Sequence, residues 1–472
     1  RSTLFPYTTL FRSRDADITV SDIRIEGTKK ILTLDTALYA HYCPCCGFRM
    51  YSRGVRKRKI IHPILQDGYE LILILRQRRW KCSNPDCLYT ANEAFRFVDS
   101  RRRTTNASDI LIVRAFRDLS ESSASIAKKF MTSDTHVLEV FDRYVRLDRL
   151  PLSDIISVDE VYVNMGADCK YALVIQDFYT GDPIDVLRSR KTKVTEPYFA
   201  SIPIEELKKV RYLISDMYNP YIAFVDKYFP NAAPVVDSFH VVQWIIHSLD
   251  MYIRSLERKY RDRDRKLAEE KSAEAGHPVR LPMSKEVYLL KKYKWLILSN
   301  LSNIKYHTDL RMDKHLHCMM NTYDYESSLF SIDPHLKPLR DLKEEYIQFN
   351  TRNAGDPGSA SRELDPLIRR YMKCRESIFQ DYAVLLNKYR VPIINSFIMV
   401  QKYGPGGIYD SRLSNGPIES LNRKVKDLKR LGRGFSNFEH FRNRFLYAER
   451  NRPVLDGRSD EAQVQYFEEE DS

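Results

Sequence analysis

The chain has 472 residues, with 76 Lys plus Arg against 63 Asp plus Glu and a formal net charge of +13. That length exceeds what one hydrophobic core holds, so about two to four domains are expected, and the charge favours a polyanionic partner bound through phosphate neutralisation. No apolar run approaches the roughly 18–20 residues of a membrane span and no signal-peptide pattern opens the chain, which predicts a cytoplasmic protein.

Residues Thr3–Ser13 (TLFPYTTLFRS) lack a preceding Met and read like the translation of a sequencing-adapter oligonucleotide. Residues 1–14 are therefore expected to be non-native, with authentic sequence starting between Asp15 and Asp22; a natural apolar arm is the alternative. Residues 15–100 read as a zinc-binding domain. Cys43-Pro44-Cys45-Cys46-Gly47 supplies a C-x₂-C knuckle, and Cys82 and Cys87 supply a second pair after a strand-like Tyr69–Leu75. Four thiolates at such spacing suit a closed tetrahedral Zn²⁺ with Cys43, Cys46, Cys82 and Cys87 as ligands; Cys45 is the ambiguous member. Cys169, Cys318 and Cys374 read as small core residues. The neighbouring Arg76, Arg78, Arg79 and Lys81 are candidate DNA-phosphate contacts, with a solvated charge run as the competing reading.

Residues 101–150 carry helical periodicity over Asp109–Leu119, Ser122–Phe130 and Asp134–Leu147, with Ser133 placed to cap the third helix. Two helices joined by about three residues are the helix-turn-helix arrangement, and Thr135, His136 and Glu139 would be exposed at the start of its recognition helix. A plain three-helix packing unit is the alternative. Residues 151–267 alternate β and α. Strands are expected at Ile155–Val163, Tyr171–Phe178 and Ile184–Ser189, a helix near Glu196–Ile202, a strand Val210–Ser215, a helix Pro220–Tyr228 and a short strand Pro234–Val236. This order predicts an α/β fold, a mixed sheet flanked by helices, with Asp159 and Asp216 on adjacent strands.

Asp237 and His240 follow the last strand three residues apart, so both can face the site; a capping Asp237 with a hydrogen-bonded His240 is the alternative. Residues 268–400 read as an all-helical insertion, with a flexible break at Ala354–Ser361. Residues 401–452 read as the second part of the core and bring Leu413–Arg433 (LSNGPIESLNRKVKDLKRLGR), in which Glu419 heads a helix otherwise covered in cations and Glu419, Asn422, Arg423 and Lys426 recur at three- and four-residue spacing. A solvated helix with ordinary ion pairs is the bland reading. Lys424, Lys429, Arg430, Arg433, Arg442 and Arg444 add to this basic region; the interleaved Phe435, Phe438, Phe441 and Phe445 read as core rather than base-stacking platforms. Residues 453–472 read as a tail, disordered at its acidic end Phe467–Ser472.

A carboxylate delivered by a strand is costly to bury without partners, so Asp159, Asp216 and Glu419 converging would be explained by a divalent metal such as Mg²⁺. Two metals about 3.5–4 Å apart can activate a water or 3′-hydroxyl and stabilise the leaving oxygen in phosphoryl transfer. The set VDEVYV, ISDMYNPY, VVDSFHVVQW and NGPIESLNRKVKDLKR resembles the transposase of the ISL-three family of bacterial insertion sequences, over about Tyr42 to Tyr447. The resemblance implies a DDE transposase with a ribonuclease-H-like core interrupted by the helical insertion, a zinc-binding N-terminal domain, and Asp159, Asp216 and Glu419 as the three catalytic acids; Glu160 is a neighbour of the first. His240 lies in a D-x-x-H pattern resembling one found after the second acid in several transposase groups, and would contact the scissile phosphate or orient a water. Arg423, Lys426, Lys429 and Arg430 are the expected DNA contacts beside the site.

The resemblance implies Mg²⁺- or Mn²⁺-dependent cleavage at element ends and joining of the 3′-hydroxyl to target DNA; no Ser or Tyr nucleophile stands out, which points to a reaction without a covalent protein intermediate. The expected partner is DNA, both terminal repeats and target, with a homo-dimer or larger assembly on it and a nucleoid-associated location in a bacterial cytoplasm. Two rivals are a defective or domesticated zinc and helix-turn-helix DNA-binding protein, and a nuclease that cuts without joining.

Overall fold

The computed structural model describes residues 18–66, 69–404, 406–432 and 435–451; the expected adapter segment, Arg433 and the acidic tail lie outside them. The chain divides into two compact units. Among the described residues, the first takes in those up to Arg149, Tyr162–Lys170 and those from Arg423 on; the second is Leu150–Val161 with Tyr171–Asn422.

The first unit opens with strands β1 (Ile18–Glu26), β2 (Lys29–Thr36), β3 (Met50–Gln66), β4 (Tyr69–Cys82) and β5 (Thr90–Asn92). Their order is β1-β2-β4-β3, with β5 on β4. Alternation explains the register: Leu32 and Leu34 of β2 and Leu71, Leu73 and Leu75 of β4 point to one buried face and join Ile18 and Ile60 in a core. The strand expected to stop at Leu75 continues through RQRRWKC to Cys82, because β3 pairs with it out to Met50↔Cys82. Helices α1 (Ala107–Ala115), α2 (Ser123–Lys129) and α3 (Asp134–Tyr144) follow. Ser133 caps α3 by accepting from His136 N at 3.2 Å, and Ser122 caps α2 by accepting from Ser125 N at 3.1 Å. Between them Met131 holds φ +53°, the left-handed turn that lets the short connection reverse direction.

The second unit is built on β6 (Ile155–Tyr162), β7 (Tyr171–Asp177), β8 (Pro183–Leu187), β9 (Tyr212–Ser215) and β10 (Ala233–Val236), in the order β10-β9-β6-β7-β8. β9 runs parallel to both β6 and β10, and β7 is antiparallel to β8, so the sheet is mixed. Helices α4 (Thr192–Ala200), α5 (Ile204–Leu207) and α6 (Asn219–Tyr228) connect them. Ile156, Val158, Leu173 and Leu213 pack with Phe199, Tyr221 and Phe224, while Ile155, Ile214 and Val235 pack with Phe178 and Leu413. Both faces are covered, which is why these strands read as nearly continuous apolar runs.

The region after the sheet departs from expectation in four places. A single helix α7 (Ser238–Ala275) begins directly after β10, so the boundary drawn at 267 falls inside it. Its buried positions, Val241, Ile245, Leu249, Ile253 and Leu256, end midway, and no described helix is long and apolar enough to cross a membrane. Next come α8 (Lys285–Tyr293) and α9 (Trp295–Leu298), then a small hairpin of β11 (Arg311–Asp313) and β12 (Cys318–Met320), so the region is not purely helical. After α10 (Thr322–Phe330) and α11 (Leu336–Arg352), the expected flexible break is a helix start: Asp356 accepts from Ser359 N at 2.8 Å and Pro357 opens α12 (Pro357–Lys373). Helices α13 (Ser377–Lys388) and α14 (Arg390–Asn395) lead to the hairpin β13 (Met399–Gly404) and β14 (Gly407–Arg412).

The last elements are α15 (Gly416–Leu431) and α16 (Phe438–Glu449). The fourth departure is that α16 packs in the first unit: Phe141 of α3 lies 4.6 Å from Phe116 and 5.9 Å from Tyr447, ring to ring. Phe438, Phe441 and Phe445 are buried, as core residues. Arg444, counted in the basic region by sequence, is fully buried; its guanidinium donates to the carbonyls of Phe116, Asp118 and Glu121. Arg442 likewise donates to Leu147 O at 2.7 Å. Removing a buried donor strands its acceptors, so Arg444→Ala is expected to destabilise the first unit by about 3 kcal/mol or more in urea unfolding. A change below about 0.5 kcal/mol would show that its burial carries no weight.

Candidate active site and cysteine centre

Strand register gathers the acids. Ser157 pairs with Ile214, and Val236 pairs with Ser215, all in parallel. Asp159, within β6, is therefore level with Asp216 and Asp237, which directly follow β9 and β10 at the carboxyl end of the sheet, where open α/β folds place their ligands. His240 stands one turn into α7, with Nε2 2.7 Å from Asp216 Oδ1 and 3.5 Å from Glu419 Oε1 of α15. Among the described residues, Asp237, His240 and Glu419 have ligand atoms within 4.8 Å of one another. Asp216 joins them through His240, and Asp159 stands within reach of the charge on Asp216. Asp237 occupies the capping position of α7, yet its side chain makes no capping hydrogen bond.

Electrostatics follow from this crowding. Burial pushes the Asp159 carboxyl up to about 7, and the neighbouring Asp216 charge adds to the rise. Contact with Asp216 raises His240 to about 9 against the opposing effect of burial, with the charges of Asp216, Asp237 and Glu419 helping, so its ring is a cation at neutral pH. Burial also raises Asp237. Glu160 turns elsewhere: it accepts from Tyr221 Oη at 2.8 Å and pairs with Arg190.

Two residues that sequence reasoning passed over as site groups complete the arrangement. Asn415 Nδ2 donates to Asp216 Oδ1 at 3.0 Å, and Asn422 Nδ2 donates to Asp159 Oδ2 at 2.7 Å. Their signal was present as two asparagines flanking Glu419 in NGPIESLN, although each partner lies far away in sequence. Both Oδ1 atoms are buried without a partner among the described residues. Hard oxygen donors with unmet acceptors beside them are the chemistry that suits a hydrated Mg²⁺ or Mn²⁺.

Cys43, Cys46, Cys82 and Cys87 come together with all four sulfurs within 4.8 Å of one another. Cys43 Sγ lies 3.7 Å from Cys87 Sγ, and Cys46 Sγ 3.4 Å from Cys82 Sγ. Tetrahedral Zn–S bonds of about 2.3 Å put sulfurs about 3.8 Å apart, so the cluster is compatible with zinc. Gly47, at φ +73°, lets the knuckle turn back. Burial raises the Cys43 thiol, but the backbone N–H groups of Cys45 and Cys46 and the side chains of Cys87 and Cys46 together lower it to about 7. Cys45 itself is exposed and outside the cluster.

The candidate DNA contacts differ in availability. Arg79, Thr135, Arg423 and Lys426 are exposed. Arg76 is exposed beside Asp35, and Arg430 is exposed with Asp427 at 2.8 Å. His136 is half-buried, and Lys429 is half-buried over the Tyr162 ring at 5.1 Å. Arg78 is spent on its own sheet: Nη1 donates to Thr36 O at 2.9 Å and lies 3.7 Å from Glu93.

Residues 156–445 match a protein family described as transposase. That span covers more than half of the chain, and the chain belongs to this family, the ISL3-type DDE transposases. It is similar to two curated relatives, each a transposase for insertion sequence element IS1557, from Mycobacterium tuberculosis strains CDC 1551 / Oshkosh and ATCC 25618 / H37Rv. Identity to each is 22% over 329 residues, covering 68% of this chain and 66% of the relative, so the match spans just under two thirds of the relatives' length.

Proposed function

We propose that this protein is a DDE transposase with a ribonuclease-H-like core, binding insertion-sequence ends and carrying out metal-dependent DNA cleavage and strand transfer. The observation that supports this most is the placement of Asp159, Asp216 and Asp237 level with one another, within or directly after three adjacent parallel strands, with Glu419 joined to Asp216 through His240. Asp159, Asp216 and Glu419 would hold Mg²⁺ or Mn²⁺, which when bound supplies activation of the attacking oxygen and stabilisation of the leaving one. His240, a cation at neutral pH, lies between the carboxylates of Asp216 and Glu419 and would meet a phosphate oxygen. The four cysteines would hold a structural zinc, α3 would enter the major groove through Thr135 and His136, and Arg76, Arg79, Arg423, Lys426, Lys429 and Arg430 would contact phosphates. Joining two ends calls for at least a homo-dimer on DNA, in a bacterial cytoplasm.

The test is incubation of the protein with labelled duplexes carrying the terminal repeats that flank its gene, in Mg²⁺ or Ca²⁺. Cleavage and joined products in Mg²⁺ alone are the expected result. Retention of the duplex without cleavage in either metal would identify a DNA-binding relic, and cutting without joined products a nuclease.

A further inference from the structure

We infer that Asn415 and Asn422 are positioning residues that hold the two strand-borne aspartates ready for a divalent cation while adding no charge to the site. The inference rests on the metal-site reading above. Asn415 and Asn422 lie seven residues apart, two turns along one helix face, with Glu419 between them. One stripe of α15 thus presents amide, carboxylate and amide toward the strand ends.

Each amide reaches a different aspartate across a long separation in sequence: Asn415 Nδ2 lies 3.0 Å from Asp216 Oδ1, and Asn422 Nδ2 2.7 Å from Asp159 Oδ2. Both side chains are buried, Asn415 fully. The position of Asn415 makes its role plain. Its carbonyl accepts from Glu419 N at 3.0 Å, which is the start of α15, and an asparagine there ordinarily turns its side chain onto its own helix. Here the amide goes to Asp216 instead.

The remaining bond of Asp159 is local, from Glu160 N to Oδ1 at 2.7 Å. Asp159 is therefore gripped at both oxygens, once by its own strand and once by the helix. A lysine or arginine in place of Asn422 would also grip it, but would neutralise the charge that a cation needs. An amide orients and leaves that charge intact. The fold presents each amide nitrogen to its aspartate, which leaves Oδ1 as an acceptor with no partner among the described residues. Two buried, unmet acceptors beside two carboxylates call for a donor from outside the chain, as water around a hydrated cation provides.

The experiment is Mn²⁺ titration of the full chain without DNA, followed by electron paramagnetic resonance, for wild type, Asn415→Leu and Asn422→Leu. Leucine keeps the volume and removes the donor, so packing is preserved while positioning is lost. Each variant is expected to weaken Mn²⁺ binding by about tenfold to a hundredfold, the range found when groups that orient metal ligands are removed. Mn²⁺ affinities within about twofold of wild type in both variants would overturn the inference and leave the metal site standing. A wild type that binds no Mn²⁺ would remove the metal-site reading itself, and this inference with it. Folding is checked by thermal melting and by zinc content, and a variant that fails to fold is replaced by serine at the same position, with the same expected loss.

Discussion

Cys46→Ala is expected to release zinc and open the N-terminal sheet to proteolysis. Cys46 sits in the knuckle before β3 and lies 3.4 Å from Cys82, the last residue of β4, so a metal there would tie the start of one long strand to the end of its neighbour. A structural zinc contributes about 10–16 kcal/mol of apparent stability in isolated finger peptides. That figure is an upper limit in this chain, because Leu32, Leu34, Leu71 and Leu73 give the sheet an apolar core away from the cysteines. The wild type should carry about one zinc per chain, and the variant should lose it together with protease resistance around Met50 and Cys82. Cys45→Ala should retain both, since Cys45 lies outside the cluster. Full protease resistance in a zinc-free Cys46→Ala protein would contradict the structural role.

The second large effect belongs to Asp216→Asn, expected to lower the rate of end cleavage by roughly a thousandfold or more with little change in affinity for the end duplex. Asp216 is the meeting point of the site: His240 stands 2.7 Å away, Asn415 donates to it, and its charge acts on Asp159. Asparagine keeps the shape and removes the charge, so any hold on a divalent cation weakens. The neighbouring His240 also loses the contact that raises it most, and its pKa should fall from about 9 toward the ordinary histidine value. Measured by single-turnover cleavage in Mg²⁺ with a parallel binding titration, the loss should appear in the rate. An unchanged rate would remove Asp216 from the chemistry.

What the sequence made legible was whatever is local. The cysteine spacing sets a knuckle before any tertiary contact forms; the β-branched runs ending near Asp159 and Asp216 announce strands; and Ser133 caps α3 through a residue three positions on. What it hid was nonlocal. Arg442 and Arg444 look like surface cations in a basic run, and only the packing of α16 in the first unit turns them inward to carbonyls about three hundred residues earlier. Arg78 and Arg79 are adjacent and chemically identical, yet strand alternation sends one onto Thr36 and the other to solvent. Asn415 and Asn422 are modest in sequence because an amide has no preferred partner until the fold supplies one. The D-P-G-S stretch misled for a different reason: Asp, Pro, Gly and Ser mark a loop and a helix start equally well, and only Asp356 bonding to Ser359 N decides between them.

The most direct measurement of the central claim is anomalous scattering from crystals of the protein soaked in Mn²⁺. A manganese peak with carboxylate oxygens of both Asp159 and Asp216 among its ligands is the predicted result. Manganese held by Asp237, His240 and Glu419 without Asp159, or no peak at this edge of the sheet, would contradict it.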